Sequence, residues 1–398
     1  MTLFTHWVKQ MIKKTIFMLA ALLSLTACNA DLTGGSGEAG LDPVSGDGSA
    51  ENNSDNSDIA GAPESTDSAS ESAADGESSQ TAPESTVREK PNITPNVQGG
   101  EIYESGVLVL NNGRALKLYG GGYEEGRNYA ENLNQLKNRV GDNVNVFSLV
   151  VPTAVSFYLP DKYAEYSGSE WDNIEYINEN LDGIIPVDAY TALSRHVDEE
   201  IYFRTDIHWQ QLGAYYAAEE FAKEALVPFA PLSDFETETI ENYVGSMYGM
   251  SGENPLVGDN PDVLTYYKPG NKYSVEHFNE NLVDGGWYSD EDFDGLFLKS
   301  LDGVKYGYWL FLGGDFDAYH IKTDVGNGRK LMLLKDSFGN AFLPCLTGSF
   351  EEIWAVDMRG CTKSISQFVK DNGLTDVLFC INSFTATGYE QEYLMNII

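Results

Sequence analysis

Residues 99–398 predict an α/β domain built on a mostly parallel sheet with helices on both faces. Three observations carry that expectation. In the last seventy residues strands and helices alternate: Lys330 to Leu334, Phe338 to Leu346, Glu352 to Val356, Lys363 to Lys370 and Asp376 to Ile381. These strands are continuously apolar, the pattern of strands buried on both faces. Upstream, a helical stripe at Tyr129, Leu133, Leu136 and Val140 runs into a buried strand, Asn143 to Val151.

The opening segment reads as an address. Residues 1–28 hold Lys9, Lys13 and Lys14 and no acid, then an apolar run from Ile16 to Leu25, then Leu25-Thr26-Ala27-Cys28. A basic start, a short apolar stretch and small residues before a cleavage point describe an export signal. The stretch is too short to span a bilayer comfortably. Its end resembles the lipobox of bacterial lipoproteins, which implies lipid attachment at Cys28. That places the protein outside the cytoplasm, lipid-anchored to the bacterial cell membrane.

Residues 29–98 contain no aromatic side chain and carry 14 acids against Arg88 and Lys90. Such a composition buries too little apolar surface to offset its ordering entropy. It reads as a disordered, self-repelling tether. The whole chain has 398 residues and a formal charge of −36. The leader carries +3 and the tether −12, which leaves −27 on residues 99–398. That balance excludes nucleic-acid binding by phosphate neutralisation. It also excludes electrostatic attachment to anionic lipid, so contact with the membrane has to be covalent or inserted. Cys345, Cys361 and Cys380 remain, an odd number in apolar or mixed surroundings, which excludes a disulfide scaffold.

The rest of the domain follows in order. Trp171 to Leu181 predicts a helix capped by Ser169, Ile184 to Val187 a short strand, Asp188 to His196 a short helix and Leu212 to Leu226 a longer one. Residues 230–300 are rich in Gly, Asn, Asp and Pro and read as an irregular insertion or lid. Val304 to Leu312 and Tyr319 to Thr323 read as a hairpin.

In parallel sheets ligands sit beyond the carboxyl ends of the strands. Ser337 lies there, at the turn from strand 330–334 into its helix. It is a nucleophile if a base is in reach, and otherwise a helix cap. Asp206-Ile207-His208 stands at the entrance of helix 212–226, where both polar side chains can face one cleft. Histidine is the usual base for serine and a carboxylate fixes its tautomer. Arg359, after strand 352–356, either contacts substrate or pairs with Asp357. Asp290, Asp292 and Asp294 match the start of a calcium loop, but Leu301 stands where the bidentate Glu belongs. There is no HExxH, paired CxxC, phosphate loop or dinucleotide fingerprint, and no cofactor is expected.

Thr205-Asp206-Ile207-His208-Trp209-Gln210-Gln211-Leu212-Gly213-Ala214-Tyr215-Tyr216 resembles the signature of the DHHW family, named for Asp-His-His-Trp, with Ile207 in place of the middle histidine. Val151-Pro152-Thr153, Phe311-Leu312-Gly313-Gly314, Lys335-Asp336-Ser337 and Val356-Asp357-Met358-Arg359 fit the same family, in order. The family is similar to the SGNH-hydrolase-like domains of alginate O-acetylation proteins. The resemblance implies a three-layer α/β/α, flavodoxin-like fold and a triad of Ser337, His208 and Asp206. Gly313, Gly314 and Asn382 are candidates for holding the oxyanion, and Arg359 for holding substrate. The implied function is acyl-ester chemistry, transfer or removal of O-acetyl groups on an extracellular polysaccharide or other glycan. Its partners are an acyl donor or an acyl-delivering membrane protein. The alternative is a catalytically inactive glycan-binding or assembly lipoprotein. A solute-binding lipoprotein fits less well, since two-lobed symmetry is absent.

Overall fold

The computed structural model describes residues 88–93, 98–283, 285–304, 306–315 and 317–398. Residues 1–87 and 94–97, which hold Cys28 and most of the segments read as leader and tether, lie outside the described residues. Residues 89–398 form one compact unit. No described helix is long and apolar enough to cross a membrane.

A seven-stranded sheet organises the unit. Its strands are β1 (Asn145–Val151), β2 (Ile185–Pro186), β3 (Tyr273–Asn279), β4 (Asp317–Thr323), β5 (Lys330–Lys335), β6 (Glu352–Asp357) and β7 (Asp376–Asn382). They lie in the order β2-β1-β7-β5-β6-β4-β3. The first five run parallel, and β4 and β3 close one side antiparallel.

The parallel strands are covered on both faces, as their unbroken apolar runs predict. Ser148 pairs with Phe379 in the register of β1 and β7, and Phe147 pairs with Leu378. Tyr129 of helix α1 (Tyr123–Val140) meets the first pair, bonding Ser148 and packing edge-on against Phe379. Phe221 of helix α2 (Gln211–Ala225) packs against Phe147. Side chains alternate along a strand, so α1 and α2 lie on opposite faces. The result is a three-layer α/β/α fold.

Three expectations differ in detail. Phe338 to Leu346 splits into helix α3 (Phe338–Phe342) and a 3₁₀ turn (Leu343–Leu346), because Pro344 has no N–H to continue the ladder. Val304 to Leu312 is not a hairpin strand. Residues 307–310 make a 3₁₀ turn, Leu312 has a left-handed backbone (φ 60°), and β4 pairs with β3 and β6 instead. The segment read as irregular holds a ribbon, Phe235–Tyr243 against Asp262–Pro269, and then β3. Much of the ribbon's first strand is solvated on both faces, so that strand lacks the apolar period that would reveal it.

Register places the site. Lys335 pairs with Asp357 on one side and Cys380 on the other. Ser337, Arg359 and Asn382 each lie two residues further on, and Asn382 pairs with Val151. The four strand ends therefore come out at one level on one edge. Cys345, Cys361 and Cys380 are buried free thiols.

Candidate active site

Ser337 follows β5 directly. Its hydroxyl does not cap α3. That task falls to Asp336, whose Oδ1 accepts the Phe338 N–H at 2.9 Å. Asp336 Oδ2 accepts both the N–H (2.7 Å) and the side-chain amide (2.6 Å) of Asn382. Burial pushes the Asp336 carboxyl up to about 6. With the helix capped by its neighbour, Ser337 Oγ is available to His208, whose Nε2 lies at 2.8 Å.

His208 reaches that position on a short loop. Tyr202 bridges Trp209 antiparallel, which closes residues 203–208 into a tight turn. The fully buried Trp209 donates its indole N–H to the Phe338 carbonyl at 3.0 Å. That bond ties the histidine loop to the residue after Ser337. Asp262 holds the loop's other side, accepting N–H groups from Arg204 and Thr205.

Asp206 accepts His208 Nδ1 at 2.6 Å and the His208 backbone N–H at 3.0 Å on Oδ1. Oδ2 accepts the Tyr243 hydroxyl at 2.7 Å and the Ser246 N–H at 2.8 Å. Burial opposes ionisation here, but His208 and these donors outweigh it and hold the carboxyl well below its usual range. An ionised Asp206 fixes the proton on Nδ1, which leaves Nε2 to accept the Ser337 hydroxyl proton. Tyr308 lies flat against His208, with ring centroids 3.9 Å apart and planes 5° from parallel.

The ribbon segment contributes a close approach as well. Gly245 lies so near Asp206 that an added Cβ would come within 2.3 Å of Oδ2 and 2.4 Å of the Asp206 Cβ. Its φ of −94° is ordinary, so space alone excludes a side chain. Gly245→Ala is expected to push Asp206 off His208 and lower kcat/KM for p-nitrophenyl acetate about 100-fold, as misplacement near 1 Å does. Hydrolysis assays beside circular dichroism test this. Unchanged turnover in the folded variant would refute it.

Ile207 turns the other way. It packs against a satellite cluster of Val107, Val109, Ala115, Met247 and Val257. A side chain at 207 therefore leaves the His208–Ser337 contact untouched.

The oxyanion candidates separate. Neither the Ser337 nor the Gly313 N–H has a hydrogen-bond partner among the described residues. The Gly314 N–H donates to the Phe311 carbonyl at 3.2 Å. The Asn382 amide is spent on Asp336 and on Thr385 (3.2 Å), and its oxygen caps the following turn. Asn382 is thus structural, because its amide is already committed where β7 ends. Gly313 has φ 64°, and a Cβ there would meet the Tyr288 ring at 2.6 Å.

Arg359 adopts the paired reading. Its Nε and Nη2 fork onto Asp357 at 2.8 and 2.6 Å, and Nη2 also reaches Asp315 at 3.0 Å. Asp315 in turn accepts the Asn340 amide at 2.8 Å, tying the Gly313 loop to α3. Burial works against the Asp315 charge, but Arg359 and Lys335 hold its carboxyl below the usual range. Lys335 is fully buried, 3.8 Å from Asp357, with no hydrogen-bond partner among the described residues.

The acidic residues of the calcium-loop match have other partners. Asp292 folds back on Ser289, Asp294 pairs with Lys268 at 2.9 Å and Asp290 faces His277 at 3.8 Å. No metal-binding cluster occurs among the described residues. Sequence reasoning gave Tyr243, Gly245, Ser246 and Tyr308 no place beside Asp206 or His208, since none lies near either motif in the chain.

The chain is similar to several solved structures. A crystal structure of a DHHW family protein from Eubacterium siraeum is 42% identical, with TM-score 0.68, covering 74% of this chain and 96% of that one. Bacillus cereus PatB1, solved with a sulfonyl adduct, is 19% identical with TM-score 0.57 over 73% of this chain and 97% of that one, and shares the fold. The O-acetyltransferase domain of Pseudomonas putida AlgJ is 12% identical with TM-score 0.39 over 73% of this chain and 92% of that one. No curated protein matches the chain. The DHHW protein family model matches residues 91–356. With that match and 42% identity to a solved member, the chain belongs to the DHHW family.

Proposed function

We propose that this protein is an acyl-ester enzyme, an O-acetyltransferase or O-acetylesterase acting on an extracellular glycan. The observation that carries the reading is the continuous relay from Asp206 through His208 to Ser337, at 2.6 and 2.8 Å. Three residues in this order, with the hydroxyl at the end of a parallel strand, suit nucleophilic acyl transfer.

Ser337 Oγ attacks the acyl carbonyl carbon while its proton passes to His208 Nε2. Asp206 stabilises the imidazolium that forms. The N–H groups of Ser337 and Gly313 are the donors for the developing oxyanion. Collapse expels the alkoxide, which takes the proton from His208, and leaves an acylated Ser337. A sugar hydroxyl or water then gives up its proton to His208 and attacks the same carbonyl, and collapse expels Ser337 Oγ, which takes that proton back from His208, giving transfer or hydrolysis. Acyl groups reach the site from a donor ester or an acyl-delivering membrane protein. The proposal includes the address: anchorage by lipid at Cys28, with residues 29–98 as the tether.

The inactive reading drew on the missing family histidine. Ile207 packs away from the triad, so its identity gives that reading no support.

Acetate release from p-nitrophenyl acetate tests the function, with intact mass of the chain after exposure to phenylmethylsulfonyl fluoride. Activated serine displaces fluoride and gains the sulfonyl group. The expected result is turnover and one adduct on the wild type, and neither on Ser337→Ala. A folded wild type showing neither would sink the proposal.

A further inference from the structure

Two aromatic rings flank His208. Phe338 is tilted, at 5.0 Å and 51°. Tyr308 is stacked face to face, at 3.9 Å and 5°. Tyr308 belongs to the 3₁₀ turn Gly307–Leu310, remote in sequence from the Asp206 loop and from α3. Phe311 and Phe203 lock it edge-on at 5.2 and 6.4 Å. The phenol is 2% exposed. So a large polar side chain is buried here and its geometry is spent on the imidazole face.

Stacking of this kind discriminates between the two charge states of the base. The face of a phenol ring is electron-rich and attracts a cation within about 6 Å of its centroid. A neutral imidazole gains only ordinary ring contact. His208 is neutral before Ser337 attacks and cationic afterwards, so the contact strengthens as the proton moves, which is the condition for accelerating a step.

We infer that Tyr308 is a positioning residue of the base: its ring fixes the plane of His208 and stabilises the imidazolium formed when Ser337 attacks. The inference rests on the function proposed above. Tyr308 touches neither the acyl group nor Ser337 in this role; it acts through His208. The charged groups facing His208 are Asp206, bonded to Nδ1, and Asp315, whose charge reaches it from the Gly313 loop. Both stay constant when only the ring is changed.

The test varies the electron density of the ring at fixed shape. Full-length chains carrying Tyr308→Phe, Tyr308→pentafluorophenylalanine and Tyr308→Leu are compared with the wild type. The readout is the rate of Ser337 sulfonylation by phenylmethylsulfonyl fluoride across pH, followed by intact mass. In that reaction the Ser337 O–S bond forms, the S–F bond breaks, fluoride departs and the proton goes to His208.

Tyr308→Phe keeps an electron-rich face and should retain most of the rate. Tyr308→pentafluorophenylalanine should react about tenfold more slowly than Tyr308→Phe. The acid limb of its profile should move to lower pH, because a less stabilised imidazolium forms only at higher proton activity. Tyr308→Leu should be slower still. If the leucine variant does not fold, the two ring variants decide the question, since they differ little in shape. A rate and pH profile that are the same for Phe and its fluorinated form would overturn the inference while leaving the proposed function standing. A wild type that forms no adduct would overturn the proposed function, and this inference with it.

Discussion

His208→Ala is expected to lower acylation of Ser337 by about a millionfold, the loss seen when the base of a serine triad is removed. The relay explains the size. Without His208 the Ser337 proton has no acceptor at 2.8 Å, and Asp206 is left facing a cavity instead of Nδ1. The fold should persist, because the histidine side chain is partly solvated and the loop is held by Trp209 and Asp262 rather than by the imidazole. Burst kinetics with p-nitrophenyl acetate measure the effect. A folded His208→Ala variant losing less than about a hundredfold would mean that the base lies elsewhere, since a positioned base is worth at least that much.

Asp357→Ala should have the largest effect on stability, about 3–5 kcal/mol, the cost of removing one partner from a buried ion pair. Asp357 is 2% exposed. It accepts two bonds from the Arg359 side chain and one from its backbone N–H, and it is the nearest anion to the fully buried Lys335 ammonium at 3.8 Å. Its removal leaves both cations short of countercharge. The Lys335 stem cannot swing aside easily, because it fills the space that lets Gly339 pass with no side chain. Urea unfolding gives the number. The companion variant Lys335→Met with Asp357→Leu should recover part of the loss by removing both charges together. A cost below about 1 kcal/mol for Asp357→Ala alone would show that the pair is solvated and ordinary.

Much of the central sheet was legible because its signal is local and redundant. Continuous runs such as Val146–Val151 and Leu331–Leu334 can only be buried on both faces, and helices separate them at regular intervals. The ribbon 235–243 was not legible. Its Glu and Thr residues face solvent on both sides, and a strand without an apolar face has no periodic trace. Helix 338–346 was legible in position, and Pro344 decided where it tightens.

The candidate site divides in the same way. Asp206, His208 and Ser337 were legible because a serine at a strand end and an Asp-x-His at a helix entrance are short patterns, made sharper by family resemblance. Arg359 was left between two roles, and its fork onto Asp357 required knowing that the carboxylate faces back along the same turn. Asn382 looked like a free amide because nothing in the chain shows that Asp336, 46 residues earlier, turns toward it.

By itself the sequence determined the strand–helix order, the acidic balance, the position of Ser337 at a strand end and the spacing of Asp206 and His208. These are short-range properties, set by neighbours two to four residues apart. Only the tertiary structure decided that His208 meets Ser337 across 129 residues, that Tyr243 and the Ser246 N–H complete the shell of Asp206, and that Tyr308 lies flat on the imidazole. Such contacts depend on how the ribbon and the turn Gly307–Leu310 pack against the sheet edge. That packing is a sum of many small burial terms from distant segments, and no local pattern encodes it.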